Sequence, residues 1–72
     1  MTSAQVRAAR GLVNWTVREL SERSGVHRNT ISNFETGRYA GSPEVVSAIR
    51  AALEGAGVCF IDDGVSLRGA DA

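Results

Sequence analysis

Four hydrogen-bonding side chains, Arg28, Asn29, Ser32 and Asn33, fall at a spacing that brings them to one surface if the stretch is helical. Arginine's planar fork matches the O6 and N7 acceptors of guanine, and asparagine pairs with N6 and N7 of adenine. Such a surface therefore carries the groups that a helix lying in a DNA major groove needs. The plain alternative is a solvated helix face, and the residues that would have to position the stretch decide between the two.

Counting from Val17, the fourth residue, Leu20, is apolar. The fifth, Ser21, is small where a second helix would pass close, and the ninth, Gly25, suits a positive-φ turn. Val26, Ile31 and Phe34 supply inward contacts at the tenth, fifteenth and eighteenth places. Six satisfied positions in one short window are the requirement of two helices crossing tightly at a turn, and they favour base readout over a solvated face.

Around that window, Thr2 and Gln5 form a capping box, with Val6, Ala9 and Val13 at helical spacing, which predicts a first helix over 3–13. Asn14-Trp15 breaks the pattern. Thr16 and Glu19 form a second capping box, opening a helix over about 17–24 that Gly25 stops. His27 stands where a cap belongs, before a helix from Arg28 to Thr36 that Gly37 ends. Ser42-Pro43-Glu44 restarts the chain as a fourth helix, with Ser as N-cap and Pro at the first helical position, and Val45, Val46, Ile49 and Leu53 give that helix an apolar face. From Gly57 the period changes: Val58 to Ile61, an Asp63-Gly64 turn signal and Val65 to Arg68 predict a short hairpin, whose strands pair within one chain or across two. The tail 69–72 is expected to fray. The reading is therefore mainly α, four to five helices with a short C-terminal β segment. A helix-turn-helix domain spans 1–57, and 58–68 forms the β element.

The residues Trp15 to Ser21, Gly25-Val26 and Thr30 to Gly37 resemble the Cro-like phage-repressor helix-turn-helix family, over roughly residues 5–54. The resemblance implies a helical bundle whose third helix enters the major groove, and transcriptional control by dimers on palindromic operators. Carried across, Arg28, Asn29 and Asn33 would face bases, with Ser32 on the same surface, while Thr16, Thr30, Arg38 and Tyr39 would touch phosphate. Arg18 and His27 join that phosphate set, as does Arg7 from the first helix. Arg10 and Glu35 match positions that form an ion pair in the family, a structural role. Two departures stand out: Val17 replaces a frequent Gln that contacts backbone, and His27 replaces a frequent Ser or Thr cap.

Eight arginines and no lysine balance five Glu and three Asp, so the net charge of zero names no partner. The balance is uneven along the chain. Residues 1–38 hold six Arg against three Glu, +3, while 39–72 hold two Arg against five acids, −3. At 72 residues a single small core forms, and oligomerisation is the one available support. Cys59 is alone and His27 is the single histidine, so no disulfide framework, metal site or cofactor is expected, and nothing resembles a nucleophile with its base. Trp15 reads as a packing residue rather than a base-stacking one, His27 as a cap or phosphate contact rather than a pH sensor, and Cys59 as a small apolar strand residue.

The function expected is a sequence-specific, double-stranded DNA-binding regulator, a repressor acting as a homodimer. The hairpin residues Val58, Phe60, Ile61, Val65 and Leu67 would form the dimer interface, because alone they would have little to cover them. The competing reading is an antitoxin-like or adaptor protein whose β segment binds another protein. No membrane span or secretory leader is evident, and a cytoplasmic, nucleoid-associated location is expected.

Overall fold

In the computed structural model, which describes residues 1–68, four helices are followed by one β-hairpin: α1 Ser3–Val13, α2 Val17–Ser24, α3 Arg28–Glu35, α4 Pro43–Gly55, β1 Val58–Phe60 and β2 Val65–Leu67. The tail expected to fray, 69–72, lies outside the described residues.

Local chemistry sets each boundary. At α1 the Thr2 Oγ1 accepts from the Gln5 N–H at 3.1 Å, and the Gln5 side-chain oxygen accepts from the Thr2 N–H at 2.8 Å, closing the capping box. The helix stops where Asn14 turns left-handed at φ 58°, a conformation that Asn tolerates better than most side chains. Thr16 caps α2 by accepting from the Glu19 N–H, and Gly25, at φ 76°, ends it. Ser42 caps α4 in the same way through the Val45 N–H. The third helix ends at Glu35, one residue short of the sequence reading, with Thr36 as its C-cap and Gly37 left-handed beyond it at φ 80°.

The helices enclose one core of Val6, Ala9, Leu20, Val26, Ile31, Phe34, Ile49 and Leu53, and the hairpin completes it with Val58. The strands pair antiparallel within the chain, Val58 opposite Leu67, Cys59 opposite Ser66 and Phe60 opposite Val65. Side chains alternate across a strand, so Val58, Phe60, Val65 and Leu67 share one face, which packs on the core against α1 and α4. This corrects the expectation that the hairpin's apolar residues lack cover. Val58 is 2% exposed inside its own chain's core and has no surface to offer a second copy. Phe60, Val65 and Leu67 are half-buried against that core, and only Ile61, at 54%, stands well out.

Gln5 ties the hairpin down. Its buried side-chain amide donates to the carbonyls of Ile61 and Gly64, the two ends of the turn, while its oxygen serves the α1 cap. Sequence reasoning saw the cap and missed the second task, because no spacing rule connects residue 5 with residues 61 and 64.

Candidate nucleic-acid interface

Three residues of α3 are buried, Ile31, Phe34 and Glu35, and they fix which way the helix faces. Arg28, Asn29, Ser32 and Asn33 consequently all lie exposed on the opposite side, brought together as their spacing requires. None of the four side chains has a hydrogen-bond or ion-pair partner among the described residues, which leaves their polar ends open to a ligand.

The helix is held at both ends. At its C-terminal end the buried Glu35 carboxylate accepts two bonds from Arg10, from Nε at 2.7 Å and Nη2 at 2.8 Å. The third guanidinium nitrogen, Nη1, donates to the Trp15 carbonyl at 2.9 Å. One guanidinium thus joins α1, the entrance of α2 and the end of α3 in bidentate geometry. The hydrogen bonds that Arg10 donates to Glu35, helped by the carboxylate's charge, hold Arg10 above the ordinary arginine pKa against the opposing effect of burial. Arg7 donates to the Glu35 backbone carbonyl, an acceptor that the helix end leaves without an intrahelical partner. Arg7 thus also serves the scaffold, while its side chain stands exposed on α1.

At the N-terminal end His27 is the cap, its Nδ1 accepting from the Asn29 N–H at 3.1 Å. Beyond the helix, the N–H groups of Arg38 and Tyr39 both donate to the Asn33 carbonyl, at 2.9 and 3.2 Å. The Tyr39 hydroxyl oxygen accepts from the Ser42 N–H at 2.9 Å, so its own proton remains available to an outside acceptor. Gly41 lets this connection pass close to the core: a Cβ there would stand 2.8 Å from Val46 Cγ2 and 3.1 Å from the Phe34 ring.

The arginines divide sharply. Arg7 and Arg10 are engaged as described. On α2, Arg18 faces Glu22 at 3.6 Å, and Arg23 pairs with Glu19 at 2.9 Å while covering the Trp15 ring at 4.9 Å. Arg50 pairs with Glu54 at 3.0 Å and lies 5.5 Å over Phe60, and Arg68 donates to the Glu54 carbonyl at 3.2 Å. Among the described residues only Arg28 and Arg38 have no such contact. They flank α3, one at each end.

Of the other phosphate candidates, Thr16 is exposed and uses its oxygen as acceptor for the α2 cap, which leaves the hydroxyl proton free. Thr30 is half-buried beside the exposed face. Arg18 would have to exchange Glu22 for a phosphate. Among the described residues no helix is long and apolar enough to cross a membrane, and no group of three His, Cys, Asp or Glu could hold a metal ion.

Against known proteins, the helix-turn-helix family model matches residues 6–55, from the first turns of α1 to the last residue of α4 and well over half of the chain. No curated protein matches it. The hairpin lies outside the matched residues.

Proposed function

The chain belongs to the Cro-like helix-turn-helix family of DNA-binding transcription regulators, and we propose that it is a repressor that binds a palindromic operator as a homodimer, through the major groove. The observation that carries this reading is the division of the arginines: six are tied within the chain, and the two left open bracket the one helix whose exposed face bears amide and hydroxyl groups.

Arg28, Asn29, Ser32 and Asn33 meet base edges and select sequence. Arg38 meets phosphate as a charge, while Tyr39, Thr16, Thr30 and the Nε2 side of His27 offer neutral donors, and Arg18 adds charge when it leaves Glu22. With one α3 per chain, two copies related by a two-fold axis would place their reading helices roughly 34 Å apart, in successive major grooves. The dimer contact falls to the hairpin without Val58: exposed Ile61, the accessible edges of Phe60, Val65 and Leu67, and the unpaired outer rims of a two-stranded sheet. Repression follows as occlusion of a promoter by the bound dimer. The same exposed Ile61, beside Asp62 and Asp63, also fits the adaptor reading, in which the hairpin binds a different protein.

Fluorescence anisotropy with labelled duplexes over a range of salt tests the reading. Arg38→Ala is expected to weaken every duplex similarly and to lower the salt slope by about one, as loss of one phosphate contact requires. Arg28→Ala is expected to weaken only preferred duplexes. Equal weakening by both variants on preferred and random duplexes would sink the assignment, and failure of the intact chain to bind any duplex would favour the adaptor.

A further inference from the structure

Each helix of the chain is opened by a side chain that accepts from its first turn, and at three of them that side chain ends in a hydroxyl: Thr2, Thr16 and Ser42. At α3 it is the imidazole of His27, whose Nδ1 accepts from the Asn29 N–H at 3.1 Å. A hydroxyl keeps its acceptor lone pairs whatever the pH. An imidazole accepts only while it is neutral, here with its proton on Nε2, and an imidazolium has two donors and no acceptor. The sequence presents His27 as a cap rather than a pH sensor, and the geometry of the cap makes it both.

The surroundings of the ring do not offset that loss. The first turn of α3 carries no acid, whereas those of α2 and α4 carry Glu19 and Glu44 beside the positive end of the helix dipole. Its one charge is Arg28, so a proton on His27 adds a second positive group to an end that already disfavours the first. α3 packs against α2 and α1. On α2, Arg18 is paired with Glu22 and Arg23 with Glu19, and on α1, Arg7 and Arg10 are engaged at Glu35, at the opposite end of α3. Among the described residues no carboxylate forms an ion pair with His27. The effect is also bounded. Val26 and Ile31 are buried on either side, and the Ile31 N–H donates to the His27 carbonyl, so the stretch free to loosen is the start of the helix, which carries the exposed Arg28 and Asn29.

We infer that the first turn of α3 is held by a proton-sensitive cap, closed while His27 is neutral and released when it is protonated. Imidazole is the side chain whose ordinary titration falls between about pH 5 and 8, and His27 is the single histidine. The sign follows from the cap. Its contribution to stability is present above the imidazole range and is lost as pH falls through that range, since the folded chain must give up a hydrogen bond to take the proton and the unfolded chain does not. Mild acid thus loosens the turn from which two of the four open side chains of α3 project. The switch belongs to the chain alone, whatever α3 binds.

Urea unfolding followed by circular dichroism, at steps between about pH 5 and 7.5, tests the proposal on wild type, His27→Ser and His27→Ala. The serine variant has an acceptor at every pH and the alanine variant has none, so their unfolding constants should differ by about 5-fold throughout, as loss of one cap requires. Ratios between the chains cancel the carboxylates and the terminal amine that all three share. Wild type should exceed the alanine variant by a similar factor at the upper end of the range and lose that margin at the lower end. Amide exchange supplies a second readout that survives poor folding of either variant: in wild type, protection of the Asn29 N–H should fall with acid relative to that of Ile31. A wild-type margin that stays constant with pH, a serine variant no more stable than the alanine one, or an Asn29 amide whose relative protection ignores pH would each overturn the proposal and leave the DNA-binding reading standing.

Discussion

Arg10 joins three elements through one residue, donating two bonds to the Glu35 carboxylate at the end of α3 and one to the Trp15 carbonyl at the entrance of α2. The carboxylate is 6% exposed and the guanidinium 22%, so removing either partner strands a charge that water reaches poorly. Glu35→Ala is expected to destabilise the fold by about 2–3 kcal/mol, toward the low end for buried pairs because Arg10 keeps some solvent. Arg10→Met combined with Glu35→Leu should recover most of that loss, since neither then leaves an unpaired charge, and urea unfolding of the two singles and the double measures the coupling. A second residue-scale expectation concerns Gly41, at φ 87° with no room for a Cβ. Gly41→Ala should cost about 2 kcal/mol or more in the same assay, and a variant as stable as wild type would contradict the close approach. The Arg10–Glu35 pairing was legible because both positions match a family pattern. Gly41 was not, because one glycine among eight carries no mark of its φ, and neither was Arg7's bond to the Glu35 carbonyl, because an exposed arginine on α1 looks the same whatever its partner.

At the scale of elements, caps did most of the specification. Thr2 with Gln5, the Thr16 hydroxyl on the Glu19 N–H, and Ser42-Pro43-Glu44 are local signals, and the helices they open begin where those signals stand, although the Glu19 carboxylate turns to Arg23 and leaves the second capping box half formed. The hairpin's strands were equally legible from composition, but not their seat on α1 and α4, which depends on contacts 56 and 59 residues apart through the Gln5 amide. Gln5→Ala should leave α1 folded and loosen the hairpin, lowering amide-exchange protection at Phe60 and Ile61 more than at Ile31; unchanged protection in the hairpin would show that the apolar face alone seats it. Gly11 presents the opposite case. It lies within α1 with open space where a Cβ would go, so Gly11→Ala should raise stability by about 0.5–1 kcal/mol, read as an upward shift of the thermal midpoint.

For the molecule as a whole, the net charge of zero conceals a sorting that pairing sharpens. After the intrachain ion pairs are formed, the arginines left open stand at α3, and the acids without an ion pair among the described residues are Glu44, Asp62 and Asp63, two of them in the hairpin turn. A phosphate backbone would thereby be drawn toward α3 and repelled from the turn. On the proposed reading this leaves the turn for protein contact, and Ile61, which immediately precedes the two acids, is its one large apolar side chain in the open. Covering it in a dimer would contribute on the order of 1 kcal/mol per chain, to be supplemented by pairing of the sheet rims. Replacing it with Asp should hardly disturb the chain's own fold, since Ile61 lies outside the core and Val58, which belongs to it, is untouched. Ile61→Asp also adds a third like charge to a turn that two copies would have to bring together. The expected result in sedimentation velocity is a shift from dimer to monomer at micromolar protein, with the wild-type thermal unfolding signature retained at low concentration. Duplexes with two half-sites should then lose affinity, while a single half-site is bound as before, because only the link between the two α3 helices has been cut. A variant that sediments as wild type does would remove the hairpin turn from the dimer and leave the sheet rims, or another surface, to make it.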